Sequence, residues 1–155
     1  MPILMKYDSV DGDVESAGYE KHILLEGVEW GFERNVSSVG ADDANRARPT
    51  MQRLTFTKLT DLATTGLVTD ALTGQHNRKV TIHWARTSKS GNLETYCTVE
   101  LTDAAVVAYK LATAGDRPID NFTLSYKQVE IKTWAWKNDR PGNSRSASYN
   151  VETGR

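Results

Sequence analysis

The chain has 155 residues, 19 Lys and Arg against 20 Asp and Glu, and a formal net charge of −1. That balance excludes a general nucleic-acid binder, which carries a basic excess or stripe, and the lone Cys97 excludes an intrachain disulfide. One domain over 1–155 is expected, large enough to hold a core without disulfide or metal. In chain order, residues 3–7 read as a short first strand and 9–19, with Gly12, Gly18 and several acids, as a loop. Residues 22–33 are a long strand candidate with Leu24, Val28, Trp30 and Phe32 in phase, and Glu26 beside Gly27 marks a bulge. Residues 36–50 have no apolar period and read as a long loop, with Asp42 and Asp43 early and Arg46 and Arg48 late.

Alternation returns at 52–58 through Leu54 and Phe56. Over 61–74 the period changes. Leu67, Val68, Ala71 and Leu72 are assigned to one helical face, with Thr64 or Thr65 as N-cap and Gly74 as the stop, so one helix is expected at about 64–73. Residues 79–86 place Val80, Ile82 and Trp84 opposite Lys79, Thr81 and His83. Residues 94–107 follow after a Ser-Gly-Asn turn within 88–92, with Cys97 on the apolar side as a buried, inert thiol. Residues 110–120 read as a loop, and a long strand starts near Asn121. Its apolar set is even through Tyr126 and odd at Val129 and Ile131, which predicts a bulge near Lys127–Gln128. Residues 138–144 read as a turn, 146–151 as a last strand, and the tail after about 137 is the least determined part. The sum is an all-β domain of seven or eight strands, as packed antiparallel sheets or a barrel, with one helix.

Few residues form a chemical constellation. His22, His76 and His83 share no zinc-like spacing with each other or with Cys97, and His83 on a polar face reads as solvated. Asp11, Asp13 and Glu15 alternate but lack the remaining ligands of a calcium loop, so no metal and no cofactor are expected. No nucleophile elbow or phosphate loop is present, and no catalytic residues are assigned. Trp134 and Trp136, two apart, share one strand face. They suit a subunit interface, or a stacking platform in a monomeric carbohydrate- or peptide-binding module. The 36–50 loop suits a docking arm whose opposite charges meet complementary ones on a neighbour. The N-terminus lacks the pattern of a secretory signal, and no stretch nears the ~18 apolar residues of a membrane span. A soluble chain made in the cytoplasm is expected, exported only by a route that reads the folded protein.

Four segments resemble one family. They are Val10-Asp11-Gly12-Asp13-Val14-Glu15-Ser16, Val28-Glu29-Trp30-Gly31-Phe32, Leu54-Thr55-Phe56-Thr57-Lys58 ahead of the helix, and the run from Asp116 to Val129 containing Leu124-Ser125-Tyr126-Lys127-Gln128-Val129. Their order and spacing from residue 1 to about 135 resemble the haemolysin-coregulated protein family, Hcp, the tube protein of the bacterial type VI secretion system. Two departures stand out. The family's Gly-Glu-Ser element is stretched here, and the 37–49 loop, often glycine-rich in the family, is charged. The resemblance implies a compact barrel-like fold similar to phage tail tubes. It implies six copies in a ring with a wide hole, and rings stacked inside a sheath. It also implies a VgrG spike at the tip, effectors in the lumen, and export of the tube with the spike. It makes Asp42, Asp43, Arg46 and Arg48 a ring-stacking loop, and the rows Lys79/Thr81/His83 and Thr123/Ser125/Lys127 candidate lumen or interface faces.

Overall fold

A computed structural model describes residues 1–35, 48–137 and 140–155. Eleven strands and one helix occur among them: β1 Ile3–Tyr7, β2 Ile23–Leu25, β3 Gly27–Glu29, β4 Phe32–Arg34, β5 Pro49–Met51, β6 Leu54–Leu59, α1 Thr64–Thr73, β7 Arg78–Thr87, β8 Leu93–Ala112, β9 Ile119–Ser125, β10 Gln128–Lys137 and β11 Arg140–Asn150. The first sheet runs β2-β1-β7-β8-β10-β11 and the second β8-β9-β6-β3; all pairings are antiparallel. β4 and β5 form a separate two-stranded ribbon. The fold is thus all-β, two open sheets packed together, as expected in class.

One strand belongs to both sheets. β8 pairs with β10 as far as Thr102 and with β7 as far as Ala104, across a register shift, then with β9 from Ala105 onward. At the register shift just before the change of partner, Asp103 has φ +53°, a left-handed conformation that turns the strand and that short polar side chains tolerate. On the partner side the chain leaves the second sheet at Ser125 and enters the first at Gln128. The phase flip at Lys127–Gln128 is therefore a change of sheet, where a bulge was expected. Lys127 N–H, in the gap, donates to Thr102 O at 3.1 Å beside the turn in β8.

Core residues come from both inner faces and the helix. Met5, Ile23, Val80, Ile82 and Leu101 of the first sheet meet Leu54, Phe56, Phe122 and Leu124 of the second, with Leu67 from α1. Phe56 and Phe122, directly opposed across the β6–β9 ladder, stack with centroids 5.2 Å apart. Each such buried side chain contributes about 1.5–3 kcal/mol.

Several expectations need correction. The 22–33 segment is three short strands, because the chain passes from the first sheet (β2) to the second (β3) at Glu26 and then into the ribbon. Strand β8 continues to Ala112, so much less of 110–120 is loop. Strand β11 starts at Arg140, inside the expected turn. The helix spans 64–73 as expected, but its N-cap is Ala63, without a side-chain cap. Asp61 serves instead, its Oδ1 accepting from Ala63 N–H at 2.9 Å. Leu72 is 82% exposed, since five residues from Leu67 is about 140° around a helix. A register shift at Trp84/Ala85 puts Ala85 in the core and leaves Trp84 half-buried. Cys97 is half-buried, and that burial raises its thiol pKa.

Candidate functional site

Surfaces, rather than a cleft, carry the candidate residues. Alternation along β7 points Lys79, Thr81 and His83 away from the core, on the outer face of the first sheet. Lys79 is exposed and lies 3.6 Å from Glu100. His83 is not solvated, contrary to expectation. The 8–22 loop folds over it, bringing Tyr19 and His22 to ring distances of 5.7 and 5.5 Å. Thr95 Oγ1 lies 3.3 Å from its Nδ1. Burial, then the nearby His22, lowers the His83 pKa from 6.5 to about 4. This row is a partly covered surface.

The outer face of the second sheet differs. Register aligns Glu29, Thr55, Thr123 and Ala108 across its four strands, and beside them Gly27, Thr57, Asn121 and Lys110. Thr123 and Ser125 stand in this band. Lys127 lies outside it, in the gap after β9, with its Nζ 3.2 Å from Glu152. The first row named from sequence therefore lies on the outer face of the first sheet, and Thr123 and Ser125 of the second row on the outer face of the second.

Trp134 and Trp136 share one face of β10, half-buried between exposed Thr133, Ala135 and Lys137. Each ring carries a cation: Arg86 Cζ is 4.2 Å from the Trp136 centroid and Lys132 Nζ is 5.1 Å from that of Trp134. These are cation–π distances. Of the expected stacking loop, Asp42, Asp43 and Arg46 lie outside the described residues. Arg48, at the loop's end, is exposed, with its guanidinium against Gly154.

On the inner side of β10–β11 the β4–β5 ribbon leaves an apolar groove of about 200 Å³, lined by Trp30, Phe32, Pro49, Met51, Ile131 and Tyr149 among others. The ribbon's approach is fixed by Trp30 Nε1–H donating to Tyr126 OH (2.7 Å) and Tyr126 OH donating to Gln52 O (2.6 Å).

A buried polar network was missed in the sequence. Lys58 and Asp120 are fully buried, with Nζ 3.1 Å from Oδ2. Lys58 also donates to Asp61 Oδ1 (2.7 Å), Thr64 Oγ1 (2.8 Å) and Leu59 O (3.1 Å). Asp120 accepts from Thr60, Thr64 and Tyr109 hydroxyls. Burial raises the Asp120 pKa, but hydrogen bonds from Thr64, Lys58, Thr60 and Tyr109 outweigh it and hold the carboxyl below its usual value. The signal was present: Lys58 is in phase with Leu54 and Phe56, and Asp120 with Phe122 and Leu124. At its other end the helix is tied by Asp70, which accepts from Tyr7 OH at 2.6 Å and from Arg78 at 2.9 and 3.1 Å. Both networks are paired throughout, and Asp61, at the rim of the first, lines a surface hollow with Leu59, Glu26 and Arg117. Among the described residues no group of three or more His, Cys, Asp or Glu could hold a metal ion, and no helix is long and apolar enough to cross a membrane.

The family model described as "Type VI secretion system effector, Hcp" matches residues 4–136. A "Major exported protein" of Pseudomonas aeruginosa is 33% identical over 107 residues, covering 66% of this chain and 58% of that protein. The match thus spans little more than half of the curated relative's length. Among solved structures, "Structure of a type six secretion system protein" superposes with TM-score 0.88 at 22% identity, covering 99% of this chain and 98% of the other. A type VI secretion system effector from Yersinia pestis gives 0.76 at 19% identity, covering 96% and 99%. Hcp1 from Salmonella typhimurium gives 0.76 at 18% identity, covering 99% and 97%. At these identities the structures speak to the fold.

Proposed function

The chain belongs to the Hcp family of type VI secretion proteins, and from that premise we propose that it is a tube subunit that works by assembling rather than by catalysing. Six copies close into a ring with a central hole, and rings stack into a tube. The sheath surrounds the tube, a VgrG spike tips it, effectors ride inside, and the tube leaves the cell with the spike. The whole chain acts as one tube domain, made in the cytoplasm and exported in folded form.

One observation carries this reading. The outer face of the second sheet is a band of small, mostly uncharged polar side chains, Thr55, Thr57, Asn121, Thr123 and Ser125, with Glu29 and Lys110 at its margins, and among the described residues no aromatic packing like that over His83 lies on it. A transport lumen must be wet and bind weakly, so that cargo leaves; short hydroxyls hold water without offering a dense field of one charge. The band therefore suits the hole better than the Lys79/Thr81/His83 row does. A sugar platform at Trp134 and Trp136 is disfavoured, because Arg86 and Lys132 each occupy a ring face.

Light scattering combined with negative-stain microscopy tests the proposal. Rings with a stain-filled hole and a mass of about 103 kDa, six copies of the 17.2 kDa chain, are expected. A 17.2 kDa species persisting at high concentration would overturn it.

A further inference from the structure

The two lateral edges of the first sheet carry opposite charge. At one edge, β2 and the loop leading to it place Asp11, Asp13, Glu15, Glu20 and Glu26 at the surface, and all five are exposed. Across 8–26 six acids stand against Lys21 alone. At the other edge, among the described residues, β11 pairs only with β10. The described side chains of β10 and β11 include Lys132, Lys137 and Arg145 against Glu130. Lys137 and Arg145 are exposed, and Arg86 and Lys132 lie on the Trp136 and Trp134 rings.

These edges cannot meet within one molecule. β1, β7, β8 and β10 lie between β2 and β11, a separation of about 24 Å at five strand spacings. The basic edge is also unfinished. The ladder between β10 and β8 ends at Thr133, while β10 pairs onward with β11 to Lys137 and Arg140. The hairpin end thus overhangs the sheet, and among the described residues no strand pairs with the outer edge of the 11-residue β11. Open edges of this length are normally paired or covered.

We propose that the β10–β11 edge of one copy docks against the acidic 8–26 edge of the next, the cation-capped Trp134 and Trp136 lying at the centre of the contact. The contact joins two different patches of identical chains, and such a head-to-tail contact closes a ring when its rotation permits. Complementary charge sets the register and steers the encounter, while the tryptophans supply the desolvated area that interfaces draw from aromatics. The inference rests on the ring reading above and names the surfaces that build it.

Two charge-reversed proteins test it. One carries Lys132→Glu, Lys137→Glu and Arg145→Glu; the other carries Asp13→Lys, Glu15→Lys and Glu20→Lys. Each alone is expected to run as a 17.2 kDa monomer in about 150 mM salt, with an unchanged near-ultraviolet dichroism spectrum. Mixed in equal amounts, they are expected to regain the mass of the wild-type ring, the two proteins alternating around it. If each reversed protein assembles as the wild type does, the docking is wrong and the ring stands. If both are monomeric and mixing restores nothing, the two edges do not face one another and the pairing is wrong. A wild-type protein that never assembles overturns the ring itself. Should either triple variant misfold, Lys137→Gln and Glu15→Gln replace them, and each is expected to lower by at least twofold the salt concentration that half-dissociates the ring; no shift in either overturns the docking.

Discussion

Lys58 and Asp120 face each other directly across the β6–β9 ladder, both fully buried, with Nζ 3.1 Å from Oδ2. The pair sits in a line of otherwise apolar inward positions and, through Thr64, reaches the first turn of α1. It therefore fixes where the helix docks on the second sheet.

Removing either partner leaves a buried, uncompensated charge. Lys58→Met or Asp120→Ala is expected to cost about 3–5 kcal/mol in urea unfolding. Lys58→Met with Asp120→Ala is expected to cost less than the sum of the two single changes. Additive losses would show that the pair is not coupled.

The Asp120 carboxyl lies below its usual pKa in the fold. The unfolded chain therefore takes up a proton at Asp120 at a higher pH than the folded chain does. Its contribution is whole above the unfolded carboxylate pKa of 3.8 and is lost as pH falls through the lower native value. The urea midpoint of the wild type should fall more steeply with acidification below pH 3.8 than that of Asp120→Asn.

His83 acts in a different window. Its native pKa is about 4 against an ordinary 6.5, so the unfolded chain binds the proton first. Stability from this site is complete above pH 6.5 and declines between 6.5 and about 4. Proton NMR should find His83 neutral at pH 5.5, and His83→Phe should flatten the stability profile between pH 6.5 and 4. A His83 titration near 6.5 would contradict the packing of Tyr19 and His22 on its ring.

Gly12 is buried with its N–H donating to Lys21 O at 2.8 Å. A Cβ built there overlaps the backbone carbonyl of His22, which cannot swing aside as a side-chain end can. Gly12→Ala is expected to destabilise by about 1–3 kcal/mol, read as a lowered thermal midpoint. The helix offers the converse pair: Leu67→Ala should cost about 2–5 kcal/mol, while Leu72→Ala, 82% exposed, should stay within about 0.5 kcal/mol.

The strands were legible wherever one face is dry and the other wet. The alternation at 79–86 and through Leu54 and Phe56 fixed which residues meet in the core, and Gly74 with φ +70° closes the helix where glycine was expected to. What escaped was long-range. The parity change after Tyr126 was visible, but a bulge and a move between sheets leave the same trace in a sequence. His83 looked solvated because its cover, Tyr19 and His22, comes from a loop with no period of its own. Lys58 and Asp120 broke the apolar pattern at positions 62 residues apart, and only the ladder shows that each interruption answers the other. Trp134 and Trp136 do share a face, as their spacing implied. The cations on their rings come from Lys132, two residues away, and from Arg86 on a strand that is not their neighbour.

The turn of β8 at Asp103 ties both sheets to one continuous strand. Loosening one layer tugs on the ladder of the other through a single continuous backbone, so partial melting has no convenient stopping point. Under mechanical load the two layers should therefore yield together rather than one after the other.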